Sequence, residues 1–307
     1  MVLNRANVKQ ERIEMSKEIA PKEGTCALCG NFTALMKSHI VPKFTAEWLK
    51  KTSGTGYLRQ ATQPNVRKQD FPTSRLLCTT CEGIFSRWEK QFAENIFIPS
   101  QEKKQQSFRY QDWLLHFAVS LAWRTCTLTA EGIREEEPDL ALEVDVALTF
   151  WRDFLLGESD DPGPYSHHMF FLDYIMPSST MSVSEFTHWY MLRGIDATIA
   201  YTSKEVSAYT KLPGIVFWSG IYPDRPKGWQ NTQIRRSGVT ETHTHRIEAN
   251  GFGEFLMERA KIVAYAKVSE RQQEQISRTI LKNQERFVKS RSRQVFEAEQ
   301  FWKSWQE

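Results

Sequence analysis

Cys26-Ala27-Leu28-Cys29-Gly30 and Leu76-Leu77-Cys78-Thr79-Thr80-Cys81 are the stretches whose reading sets the fold, separated by 48 residues between Cys29 and Cys78. Each Cys-x-x-Cys turn offers two sulfurs to one ion, and two such turns complete a tetrahedral four-sulfur zinc site. Gly30 directly after the first pair suits a tight knuckle turn, and the second pair opens a helical run, the order of parts in a treble-clef zinc module. A redox dithiol needs only one pair, and neither pair sits in a thioredoxin-like βαβ pattern. The four cysteines are therefore read as the ligands of a structural Zn²⁺, with Cys126 left over.

Working outward, residues 24–98 hold few aliphatic side chains, so a module here needs the staple that the metal supplies. The run Ile84 to Ile98 places Phe85, Trp88, Phe92 and Ile96 at helical spacing, with Pro99 expected to end the helix. The polar stretch Ser100 to Ser107 reads as a linker, giving three parts: a polar tail or helix over 1–20, a zinc-binding module over 21–105, and a larger domain over 106–307. In the last part, Asp112 to Trp123 and the segment after Pro138 read as core helices. Leu142, Val146, Phe150 and Phe154 recur there at a four-residue period until Gly157. The β-branched and aromatic runs HMFFLDYI, HWYMLRG, DATIAYT, EVSAYT and GIVFWSGIY read as an antiparallel sheet. From Glu254 a long helical pattern returns, with a break near Ser269. The fold class expected is α+β: a zinc-stapled module, then helices and an antiparallel sheet, then a long helical C-terminal segment.

The chain of 307 residues carries a net charge of only +3, but its segments disagree. Lys37 to Arg75 holds eight basic residues against Glu47 and Asp70, and Arg259 to Arg293 holds ten against three acidic ones. Glu131 to Asp196, by contrast, holds fourteen acidic residues against three basic ones. Two basic ends flanking an acidic middle fit a polyanion partner that touches the ends alone, although a long basic helix can also be a solvated face. No apolar run is long enough to span a bilayer, and the first twenty residues lack the apolar stretch of a secretory signal. A cytoplasmic protein without a membrane partner is the expectation. P-loop, Rossmann glycine and Gly-x-Ser-x-Gly patterns are absent, which argues against a nucleotide-driven enzyme or a serine hydrolase. His167-His168 and His243-x-His245 have no cysteine or carboxylate set beside them and are read as ordinary surface or core histidines.

Between the cysteine pairs, Leu35-Met36-Lys37-Ser38-His39-Ile40-Val41-Pro42-Lys43 leads away from the first, and Leu76-Leu77-Cys78 leads into the second. Over residues 24–95 this resembles the HNH family, the ββα-metal nucleases whose zinc-bearing members run Cys-x-x-Cys, a His-Ile-x-Pro strand, then Cys-x-x-Cys at a helix. The resemblance implies His39 as the general base that deprotonates a water and Glu82, directly after the fourth cysteine, as a ligand of a catalytic Mg²⁺ or Mn²⁺. It implies a nucleic acid, DNA rather than RNA, as substrate, in the setting of bacterial defence. Lys43, Lys50, Lys51, Arg59, Arg67, Lys68 and Arg75 are then the side chains expected to grip phosphates, and the 106–307 part is a candidate surface for a protein partner. The sequence departs from the family at Ser38, where an Asp or His ligates the metal, at Thr73, where an Asn orients the base, and at Glu82, where a His or Asn is common. The alternative function is a module that keeps its zinc, binds nucleic acid or protein, and does not cut.

Overall fold

The computed structural model describes residues 22–102, 105–175, 186–223, 227–248 and 251–306, with side chains to residue 301. The expected tail or helix over 1–20 lies outside these residues. The chain is a mixed α+β molecule with antiparallel sheets and a helical C-terminal stretch.

The first strands, β1 (Lys22–Thr25) and β2 (Phe32–His39), form a hairpin whose closing residues 26–31 are the first cysteine turn. Gly30 adopts φ 76°, a left-handed conformation that costs glycine no Cβ clash. After α1 (Lys43–Thr52) and the short hairpin of β3 (Leu58–Gln60) and β4 (Gln63–Lys68), strand β5 (Thr73–Cys78) returns antiparallel to β2. The sheet order is β1-β2-β5, with Leu35 opposite Cys78 and His39 opposite Thr73. Helix α2 (Thr79–Phe92) starts as β5 ends; its N-cap is Cys78, whose sulfur accepts the Cys81 amide.

Pro99 does not end the helical run as expected. A π-helical turn, Ala93–Phe97, follows α2, and Pro99 then falls in the first turn of α3 (Ile98–Gln101), where a missing N–H costs nothing.

Beyond β6 (Ser107–Tyr110), the long α4 (Asp112–Glu136) is buried through most of its middle, and α5 (Pro138–Leu156) packs against it. Gly157, at φ 75°, closes α5. The period read on α5 is correct and the face is not. Leu142, Val146 and Phe150 are 65%, 49% and 43% exposed, whereas Leu140, Ala141, Val144, Ala147 and Trp151 are buried beside Phe154. The helix presents apolar side chains on more than one face, and a four-residue period alone does not say which one the core takes.

Next come β7 (Ser166–Phe171), α6 (Thr187–Arg193), β8 (Asp196–Thr202), β9 (Glu205–Leu212) and β10 (Ile215–Tyr222). The HWYMLRG run, expected as a strand, is the helix α6. Its first amides, those of His188 and Trp189, donate to the Glu299 carboxylate, so a distant side chain stabilises a helix start that β-leaning residues do not favour locally. The four remaining runs form one antiparallel sheet in the order β7-β10-β9-β8. Ile215, Phe217 and Ile221 of β10 join the cluster around α4, while Val216 and Trp218 point to the opposite face.

The short strands β11 (Trp229–Gln230), β12 (Gly238–Glu241) and β13 (Arg246–Ile247) lie in the turn-rich region, with β12 pairing to β6 and β11 to β13. Helix α7 (Phe252–Ala264) covers the second face of the sheet through Leu256 and Ala260. The helical tail continues as α8 (Glu270–Lys282), starting at the expected Ser269, then α9 (Gln284–Val288) and α10 (Arg291–Gln306).

One core runs through the cysteine turns, α2, α4, α5 and the sheet. Phe92 of α2 stacks on Phe117 of α4 at 4.3 Å between ring centroids and meets Phe217 of β10 edge-on at 5.4 Å. No helix among the described residues is long and apolar enough to cross a membrane.

Candidate metal centre

The four sulfurs of Cys26, Cys29, Cys78 and Cys81 lie within 4.8 Å of one another. A tetrahedral zinc with Zn–S bonds of about 2.3 Å requires S···S separations of about 3.8 Å, and Cys29 Sγ to Cys78 Sγ is 3.9 Å. The set is closed as a structural site should be: Cys26, Cys78 and Cys81 are buried and only Cys29 is part-exposed. Backbone ties hold the two turns together, with Ala27 N donating to Leu76 O at 2.9 Å and Cys78 N to Cys26 Sγ at 3.3 Å. From α5, Arg152 Nε donates to Leu28 O at 3.0 Å and braces the first turn.

The electrostatics fit a cation. Burial pushes the Cys26 thiol up, but the surrounding amides of Cys29, Cys78 and Leu28 overcome it and bring the group down to about 7. Burial raises Cys29, and burial together with the neighbouring sulfurs raises Cys81 strongly. Four close thiols cannot ionise together unaided, so the positive charge they would gather is what a divalent metal supplies. Cys126 is buried alone in the core, where desolvation raises its thiol.

Two side chains at the end of β2 carry the rest of the expected site. Ser38 is buried and donates to Glu82 Oε2 at 2.7 Å, which ties the strand end to the first turn of α2. His39 Nε2 lies 3.1 Å from Asp70 Oδ2, in the loop between β4 and β5. Thr73 pairs with His39 through the sheet register, and Asp70 is the group that meets its ring. Glu89, on α2 like Glu82, faces α4. It accepts from Arg124 Nη1 at 2.7 Å, and the same nitrogen donates to His39 O at 3.0 Å. Arg124 is buried, lies over the Phe85 ring and spans from α4 to both β2 and α2. Sequence reasoning missed Asp70 and Arg124. Asp70 was counted only as a charge in a basic segment, and Arg124 lies in an apolar helical run whose texture says core.

Among the described residues, the cysteines are the one group of three or more His, Cys, Asp or Glu side chains whose ligating atoms converge.

The seven expected phosphate contacts divide. Lys50 Nζ donates to Gln69 O at 2.7 Å and Arg75 Nη1 to Leu35 O at 2.9 Å. Arg59 and Arg67 reach the helical tail, contacting Gln272 Oε1 at 3.4 Å and Gln275 Oε1 at 3.1 Å on α8, and Arg67 also lies over Tyr57. Lys43 makes an exposed ion pair with Glu47 at 3.7 Å. The side chains of Lys51 and Lys68 have no hydrogen bond or ion pair to another described residue.

Among the described residues, no other histidine joins a group of three or more converging ligand side chains. His167 and His168 are buried in β7, held through Nδ1 by Ser219 and Thr232. Comparison with protein-family models, with curated proteins and with solved structures finds no match to this chain.

Proposed function

We propose that this chain is an HNH-like, zinc-stapled protein directed at nucleic acid, in which His39 serves as general base for metal-dependent phosphodiester hydrolysis. The observation that carries this reading is the pair of contacts at the end of β2, where Ser38 meets Glu82 of α2 at 2.7 Å and His39 Nε2 lies 3.1 Å from Asp70. A strand-ending histidine, an antiparallel return strand and a helix bearing a carboxylate in its first turn follow the order of parts in the family that the sequence resembles. Asp70 is placed for the orienting role that the family gives to an Asn: its carboxylate lies 3.1 Å from Nε2 without a formed hydrogen bond, and a hydrogen bond closed there would favour the proton on Nε2 and leave Nδ1 to accept one from water. Ser38 engages one oxygen of Glu82. The other oxygen is the hard donor that would hold Mg²⁺ or Mn²⁺, ions that keep most of their water and accept one or two carboxylates plus substrate phosphate oxygens. Such an ion, when bound, offsets charge on the phosphate.

A second reading, a zinc module that binds nucleic acid or a protein without cutting, draws on a specific observation. Glu89 is committed to Arg124, Glu82 to Ser38 and His39 to Asp70, and no second group of ligating side chains converges among the described residues.

The test is cleavage of plasmid and single-stranded DNA by zinc-loaded protein with Mg²⁺ or Mn²⁺. The hydrolase reading expects cutting by the native chain and a loss of about 10² or more in H39A, the range for removing a general base. D70N should fall between the two. If native protein and H39A behave alike while both retain zinc, the hydrolase reading fails, and salt-sensitive binding of the same DNA would then select the second.

A further inference from the structure

A cavity of about 260 Å³ lies where α1, α3, α6, the end of β7 and α10 meet, with Trp48, Gln101, Asp173, Arg193, Arg291 and Gln294 in its wall. Its two arginines are unusual. Arg193 donates to Leu49 O at 3.0 Å and Thr52 Oγ1 at 3.1 Å and lies over the Trp48 ring at 5.4 Å, so its guanidinium is fixed in place. Arg291 donates to Gln101 O and to Gln294 Oε1. All of these partners are neutral. Neither guanidinium forms an ion pair among the described residues, although both are part-buried.

A part-buried charge without a counter-ion is costly, and proteins ordinarily pair it. Burial lowers Arg193 to about 10, with the charge of Arg291 adding to the effect, so the two cations bear on each other across this region. We infer that the cavity is a binding site for a small phosphate ester, no larger than about one nucleotide, whose phosphate is held by Arg193 and Arg291.

Three arguments set the ligand class. The guanidinium forks of Arg193 and Arg291, which have no counter-ion among the described residues, can share the three free oxygens of a phosphate monoester, whereas the two oxygens of a carboxylate are filled by one fork. The volume lies just below the about 300 to 1,000 Å³ typical of small-molecule pockets, which limits the ligand's size and excludes a polymer running through it. Asp173 is the opposing charge in the wall. It is exposed, its Oδ1 accepts the Tyr174 amide, and it suits a hydroxyl of the ester's organic part rather than the phosphate.

Titration calorimetry of the full zinc-loaded chain with adenosine 5′-monophosphate, inorganic phosphate and adenosine tests this. The expected order is adenosine 5′-monophosphate tightest, phosphate weaker and adenosine undetected. Because Arg193 and Arg291 also brace the backbone, the variant set pairs R291Q with Q294E, an exposed position where a new carboxylate opposes the ligand without removing a backbone contact. Each should weaken adenosine 5′-monophosphate about tenfold or more, Q294E with an unchanged melting temperature. H39A should bind it as the native chain does, so this site stands or falls apart from the hydrolase reading. The inference is overturned if the native chain binds no phosphate probe at millimolar concentration, if Q294E binds normally, or if inorganic phosphate binds as tightly as the nucleotide. Displacement of the nucleotide by an oligonucleotide would overturn it in favour of a polymer site.

Discussion

Arg124 shows how a single residue joins the candidate site to the body of the molecule. Its guanidinium is buried and reaches the His39 carbonyl and the Glu89 carboxylate together. Removing one member of a buried ion pair leaves the other unsatisfied, at a cost of about 3 kcal/mol or more. In urea denaturation of the zinc-loaded chain, R124M, which strands the part-solvated Glu89, should lower the unfolding free energy by about that much, and E89Q, which strands the buried Arg124, by more. A midpoint unchanged in R124M would mean that the pair is incidental. The four-cysteine cluster was legible in the sequence because the spacing of two Cys-x-x-Cys turns carries it. Asp70 and Arg124 were not, since each acts through a contact 31 or more residues away in the chain, and no local pattern encodes such a contact.

Among the elements, the β3–β4 hairpin changes most between sequence and structure. Its arginines read as phosphate contacts, yet Arg59 and Arg67 face α8, and Asn65 Oδ1 accepts the Ser269 amide at the start of that helix. The hairpin is thus tied to the helical tail, and one basic segment holds part of another. If the chain binds duplex DNA, each phosphate contact contributes about 0.9 to the slope of log affinity against log salt. Removing Lys43, Lys51 and Lys68 should each flatten that slope, while a double R59Q and R67Q variant should leave it unchanged. The reverse result would place the arginines on the nucleic acid. Helix α6 teaches the same lesson, because its strand-like residues form a helix where Glu299 of α10 receives its first amides. By contrast β8, β9, β10 and α5 were legible, since apolar period and turn residues specify them locally.

For the whole molecule, one core unites the metal centre, α4 and the sheet, and buried histidines make that core sensitive to acid. Burial pushes His167 down to about 3, helped by the charge of His168, and burial lowers His168 and His245 to about 4. Each ring bonds a hydroxyl through one nitrogen and buries the other without a partner, so protonation puts an N–H where no acceptor waits. The unfolded chain takes these protons from about pH 6.5 downward and the folded chain refuses them. Stability should therefore fall as pH drops toward 4, by up to about 1.4 kcal/mol per pH unit for each histidine. His188 runs the other way. Burial lowers it, but bonding to Glu299 and the Ile175 carbonyl raises it overall, so its contribution is full below about pH 6.5 and is lost as pH rises through its raised value. Since zinc also dissociates in acid, the comparison is between native protein and H168Q: the variant should lose less stability between pH 7.5 and 5.0, and an identical loss would refute the assignment.

Everything in this account rests on the four cysteines holding one zinc that fixes the β1–β2 hairpin, β5 and the start of α2 as a unit. X-ray absorption at the zinc edge, on protein whose metal content has been measured, addresses that claim most directly. The account predicts one zinc per chain with four sulfur neighbours at about 2.3 Å and no nitrogen or oxygen shell. A site with histidine nitrogen in its first shell, or a chain that folds fully and retains no zinc, would contradict it.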